Sequence, residues 1–187
     1  MLLPGYDPGA AAGDCTFDID RAQRAVDFPP LFCRHSKGRW SGQSFELAEW
    51  QATVVANLFG WVRPDNTRRY RNALVEVPRK SGKSHLCAAL ALYSLLFDSE
   101  SGAEVYCCAA DRDQASIVFG IAKRFVEQDE MLSERCRLYR NAISVEETAS
   151  TMKPLSSDSR TAHGLNASVV IADELHAWTA PDAGDLY

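Results

Sequence analysis

Two short stretches of this chain carry residues whose types and spacing suit phosphate chemistry. The first is Val77-Pro78-Arg79-Lys80-Ser81-Gly82-Lys83-Ser84. It has the spacing of a phosphate-binding loop, GxxxxGK[ST], with Val77 where the pattern places its first glycine. Backbone N–H groups of such a loop, and the N-terminus of the helix after it, cradle phosphate oxygens. Gly82 allows close approach, Lys83 neutralises β/γ-phosphate charge, and the Ser84 hydroxyl can ligate Mg²⁺. A basic loop that merely caps a helix is the bland alternative. The position of the motif between an expected strand and an apolar helix weighs against it.

The second stretch is Val169-Val170-Ile171-Ala172-Asp173-Glu174. An apolar strand here delivers Asp173 at its carboxyl end, where a carboxylate can hold Mg²⁺ directly or through water. Glu174 can orient and activate the attacking water as general base. Acidic strand ends are common, so the pairing of the two stretches is more specific than either alone. Together they read as an ATPase with a catalytic glutamate beside a metal-binding aspartate.

The elements that must position these residues are legible in outline. Phe45–Trp61 has Leu47, Trp50, Val54 and Leu58 on one helical face. Asn72–Val77 (NALVEV) is expected as a strand leading into the loop, and residues 83–97 as a helix buried against a sheet. Glu104–Ala110 reads as a strand and Asp113–Gln128 as an amphipathic helix; residues 137–156 hold two or three weak strands with a possible hairpin. Ala167–Ala172 has the near-continuous apolar run of a parallel strand covered on both faces. This alternation predicts an α/β fold, a mostly parallel sheet flanked by helices. Ligands in such sheets sit at the carboxyl ends of the strands, where both stretches lie. Residues 1–43, rich in Gly, Pro and Asp, are expected as an irregular arm, and residues 44–187 as the ATPase domain.

Composition narrows the partners. The chain has 187 residues, with 46% hydrophobic and 24% charged, ordinary values for one globular domain. Its formal net charge of −5 supplies no global attraction for nucleic acid, so DNA contacts must use local patches. The longest apolar run, Leu86–Phe97, is too short to cross a bilayer, and Met1–Asp14 makes a poor signal peptide. Six cysteines show no CxxC spacing and read as reduced thiols of a cytoplasmic protein.

Beyond single motifs, the chain resembles the large terminase subunit of tailed bacteriophages and prophages. The resemblance is carried by Arg79–Ser84, by His163-Gly164-Leu165-Asn166 running into VVIADELHAW, and by Ser44–Gln51 with the following Leu58-Phe59-Gly60-Trp61. It runs from about Phe28 to Trp178. It implies a P-loop NTPase of the additional-strand, catalytic-glutamate type, in which the loop is the Walker A motif and Asp173-Glu174 ends the Walker B strand. It further implies a motor that packages double-stranded DNA into a procapsid, working with a portal protein and a small terminase subunit as a ring homo-oligomer. By the same resemblance, Gln51 binds adenine, Arg79 is the loop arginine that contacts ATP and serves catalysis, and Lys80, Ser81, Gly82, Lys83 and Ser84 hold ATP. Asp173 and Ser84 then hold Mg²⁺, and Glu174 and Lys83 serve hydrolysis. The family's coupling motif and nuclease domain are expected downstream of Glu174, which only thirteen residues follow here, so the sequence reads as a partial ATPase domain.

Arg112 follows the Glu104–Ala110 strand and is expected at the nucleotide edge of the sheet. In a ring it can reach a neighbour's γ-phosphate as an arginine finger; a surface arginine paired with Asp113 or Glu127 is the plainer reading. His163 and His176 match no zinc pattern. The four tryptophans read as packing, and Arg68-Arg69-Tyr70-Arg71 as a solvated basic loop. Two rival functions remain open from sequence: a helicase-type motor, and a catalytically silent remnant that only binds nucleotide.

Overall fold

In a computed structural model, the described residues are 7–98, 101–110, 112–156 and 165–178. Near the start, β1 (Thr16–Phe17) leads into α1 (Ile19–Phe32). Asp18 caps α1, its carboxylate accepting the Arg21 N–H at 2.9 Å. Ala22, Ala25 and Phe28, at three-residue spacing, are buried along the helix. Residues 1–43 are therefore not irregular throughout. The Gly- and Pro-rich composition of the segment masks a capped helix whose only prolines, Pro29 and Pro30, fall in its last turn.

Next come α2 (Glu49–Gly60), which packs on α1, and β2 (Trp61–Val62), which pairs antiparallel with β1. The helix starts four residues later than its apolar spacing predicts. Its fully buried face is Gln51, Val55 and Phe59 at four-residue spacing, while Leu47, Trp50 and Leu58 are only partly covered. Gly60 is required where β1 crosses: a Cβ there would lie 2.6 Å from the Phe17 ring.

The loop at 79–82 feeds α3 (Lys83–Tyr93), followed by β3 (Glu104–Ala109) and α4 (Arg112–Gln128). The short α5 (Glu130–Arg135) then leads into β4 (Arg137–Leu138), β5 (Ile143–Val145), β6 (Ser150–Ser156) and β7 (Ala167–Ala172). These strands form a five-stranded sheet in the order β4-β5-β6-β3-β7. The pairs around β3 are parallel, and β4-β5-β6 is an antiparallel meander. The weak strand candidates in 137–156 are thus three real strands. Helices α3 and α4 pack on one another and on β3; Leu92, Phe125, Val105 and Met152 are fully buried in the shared core.

Two expectations about strands do not hold. Asn72–Val77 is not a strand: it pairs with nothing among the described residues, and Leu74 is 82% exposed. Strand propensity does not supply a partner, and both edges of β3 are already taken by β6 and β7. Nor is β7 covered on both faces. Among the described residues it is the last strand of the sheet, and Val170 on it is 45% exposed.

Candidate nucleotide site at the carboxyl edge of the sheet

The loop before α3 has an unusual backbone. Lys80 and Gly82 both lie in the left-handed region, with φ of 66° and 82°. Left-handed residues flanking Ser81 are the kind of backbone that gathers successive N–H groups into an anion-binding concavity. A lysine held there costs about 1–3 kcal/mol, strain that clusters at functional sites. Gly82 caps α3, whose first backbone bond runs from Leu86 N–H to the Gly82 carbonyl at 3.0 Å. The N–H groups of Lys83, Ser84 and His85 therefore face outward at the positive end of the helix. Among the described residues, the buried Ser81 Oγ has no hydrogen-bond partner. An orphaned hydroxyl beside unpaired N–H groups fits a phosphate.

Opposite the loop, Asp173 and Glu174 leave the carboxyl end of β7. The Asp173 N–H donates to the Cys108 carbonyl at 2.9 Å, carrying the β3–β7 ladder one residue past the strand. Its carboxylate, 8% exposed at the residue level, accepts the Glu174 N–H at 2.9 Å. The Trp178 indole N–H donates to the Asp173 carbonyl at 3.2 Å, fixing the chain where it turns away. Glu174 itself is left-handed, with φ 53° and ψ 45°.

Lys83 closes the site. Its Nζ lies 3.1 Å from Asp173 Oδ1 and 2.6 Å from Glu174 Oε1. Burial pulls the ammonium down. The hydrogen bonds and charges of Glu174 and Asp173 outweigh that and hold it above the ordinary lysine value. One turn along α3, burial, aided by the Asp173 charge, pushes the Cys87 thiol up to about 12.

The other expected site residues are placed as follows. Ser84 occupies the first turn of α3. Arg79 and Lys80 are exposed in the turn, and neither has an ion pair among the described residues. Gln51 lies beneath the loop, 3% exposed, its Nε2 donating to the Ser81 carbonyl at 3.2 Å. Arg112 opens α4 just after β3. Because β3 and β7 are parallel, its backbone leaves the same edge of the sheet as Asp173. His163 and Gly164 lie outside the described residues.

Sequence reading missed two supports. Trp178 reads as packing, yet its indole N–H holds the acidic turn. Arg69 reads as a solvated cation, yet it donates to the carbonyls of Pro8 and Ala11 and lies over the rings of Trp61 and Tyr70.

A lysine after a left-handed glycine, set against two carboxylates at the end of a parallel strand, defines an α/β protein of the P-loop NTPase type. Comparison with known proteins gives the family. Residues 49–183 match the family described as "Terminase large subunit, ATPase domain", and the chain belongs to it. It is 27% identical over 159 residues to the terminase large subunit of Enterobacteria phage HK97. That alignment covers 83% of this chain and 31% of the phage protein. The crystal structure of the HK97 large terminase superposes with a TM-score of 0.69 at 25% identity, covering 81% of this chain and 30% of that one. The chain thus spans about a third of the length of the relatives it matches.

Proposed function

We propose that this chain is the ATP-hydrolysing part of a phage DNA-packaging motor. The observation that carries the proposal is the convergence of Lys83, Asp173 and Glu174 within 3.1 Å, from elements far apart in sequence. The cluster supplies what phosphoryl transfer needs: a cation for the phosphates, a carboxylate for a metal, and a second carboxylate for a water. Lys83 would move from Glu174 to phosphate oxygens on binding ATP. Glu174, released, can accept a proton from the attacking water. Arg79 and Lys80, exposed and without an ion pair among the described residues, would meet phosphate from the loop side.

Asp173 and Ser84 would hold Mg²⁺. The donor set fits, since a carboxylate and a hydroxyl are hard oxygen ligands of the type this ion takes. When bound, the ion would neutralise charge developing on the phosphates.

Packaging of double-stranded DNA, with a portal protein, a small terminase subunit and a ring of identical subunits in the host cytoplasm, follows from the family reading. Among the described residues no helix is long and apolar enough to cross a membrane. For DNA, the best local patch is the loop from Cys33 to Ser44. It folds back on itself through His35 N–H to the Gln43 carbonyl and Phe45 N–H to the Cys33 carbonyl. Arg34, Lys37 and Arg39 lie on it with no acidic residue between them. Lys37 and Arg39 are exposed without an ion pair among the described residues, and the Arg39 guanidinium lies 4.7 Å over the exposed Trp40 ring. Its base meets the nucleotide helix, where the His35 and His85 rings are 5.2 Å apart.

The test of hydrolysis is Glu174→Gln in the longer protein that carries this domain. It should bind Mg²⁺–ATP as wild type does and lose turnover by at least about a hundredfold, the scale of a general base. Turnover at the wild-type rate would remove Glu174 from the chemistry.

A further inference from the structure

We infer that Gln51 is a positioning residue that braces the phosphate-binding loop and does so without regard to the base of the nucleotide. The inference rests on the reading of that loop as a triphosphate site. Gln51 belongs to the first turn of α2, and its carboxamide is used at both ends. Oε1 accepts the Ala48 N–H at 2.9 Å, and Nε2 donates to the Ser81 carbonyl at 3.2 Å. The first bond caps α2. The second reaches across thirty residues to the peptide between Ser81 and Gly82.

That peptide is the one that most needs holding. It lies between Lys80 and Gly82, both left-handed, and apart from the Leu86 N–H on the Gly82 carbonyl no other hydrogen bond from outside the loop reaches the backbone of 79–82 among the described residues. Turning it over would aim the Gly82 N–H away from the phosphate side and misdirect the start of α3. The carboxamide also packs against the glycine: a Cβ on Gly82 would lie 3.3 Å from Nε2. Reading adenine would require a donor and an acceptor of Gln51 to be aimed together at the base. Here the 3% exposed side chain gives its carbonyl oxygen to one backbone and its amide to another, so adenine recognition would cost both bonds. Its effect on nucleotide binding runs through the loop.

Two substitutions separate the brace from the cap. Gln51→Glu keeps an oxygen for the Ala48 N–H but sets the other against the Ser81 carbonyl oxygen. Gln51→Met is neutral, similar in length, and loses both bonds. The measurements use this chain: amide hydrogen exchange at Ser81, Gly82 and Lys83 without nucleotide, and affinities for Mg²⁺–ATP, Mg²⁺–GTP and Mg²⁺–tripolyphosphate, which has no base. Both variants should speed exchange at these three amides. Both should weaken all three ligands alike, Gln51→Met by about two- to tenfold, the scale of one hydrogen bond. Thermal stability should fall in both variants, in Gln51→Met through the lost cap and in Gln51→Glu through a buried carboxylate. The readout that separates loop bracing from general destabilisation is exchange at Ser81, Gly82 and Lys83 speeded by a larger factor than at the core amides of β3. Unchanged exchange in Gln51→Met, or a loss of affinity confined to ATP, would overturn the inference. If the wild-type chain bound none of the three ligands, the triphosphate reading would fall, and the exchange experiment would still decide the brace.

Discussion

Lys83 Nζ lies 2.6 Å from Glu174 Oε1, joining the start of α3 to the end of β7 across ninety-one residues of sequence. In this arrangement the lysine that would bind phosphate and the carboxylate that would activate water neutralise each other. Glu174 holds its place with a left-handed backbone that an L-residue seldom adopts. An anion binding at Lys83 would have to compete with Asp173 and Glu174 for it.

The raised Lys83 value sets the sign of a pH effect. A lysine whose ammonium is favoured in the folded state stabilises the fold below the ordinary value of 10.5 and loses that contribution as pH rises through the folded value. Stability of the wild-type chain should therefore fall above 10.5 more steeply than that of Lys83→Met. Unfolding midpoints of both chains across the alkaline range check this. Parallel curves would show that the cluster does not hold the ammonium in solution.

The DNA reading makes a salt-dependent prediction. Lys37→Ala with Arg39→Ala in the Cys33–Ser44 loop should weaken binding of double-stranded DNA to this chain and flatten the slope of log affinity against log salt. The change should be about one unit for each phosphate contact removed. ATP affinity should stay as in wild type, because neither residue touches the loop at 79–84. An unchanged slope would move the DNA surface elsewhere.

Much of this site was legible because its parts are local. The loop proposed to bind phosphate is one contiguous run, and β7 matches its apolar run residue for residue from Ala167 to Ala172. What sequence could not show is pairing. NALVEV has the composition of a strand, but whether it becomes one depends on a neighbour, and 72–77 has none among the described residues. Helix α1 was hidden for a related reason. Its Ala22, Ala25 and Phe28 stripe is narrow, and flanking Gly and Pro dominate the local composition. Gln51 shows the same limit within the site. Its type and position suggest contact with a base, while its partners, Ala48 and Ser81, emerge only when α2 is laid beneath the loop.

We propose Arg112 as the residue through which a ring would act. At the start of α4 it leaves the same sheet edge as Asp173. In the longer protein, mixing Arg112→Ala subunits with Glu174→Gln subunits should restore ATPase activity that neither variant has alone, since each supplies what the other lacks. Full activity of Arg112→Ala by itself would leave it a surface residue.

The central claim is that the loop at 79–84 binds the phosphates of ATP, and Lys83→Ala tests it most directly. The substitution removes a charge-assisted contact of about 1.5–3 kcal/mol, so the affinity of this chain for Mg²⁺–ATP, measured by calorimetric titration, should fall at least about tenfold. The fold should survive, because Lys83 is partly exposed and lies outside the buried core. Equal affinity of wild type and Lys83→Ala for Mg²⁺–ATP would contradict the account.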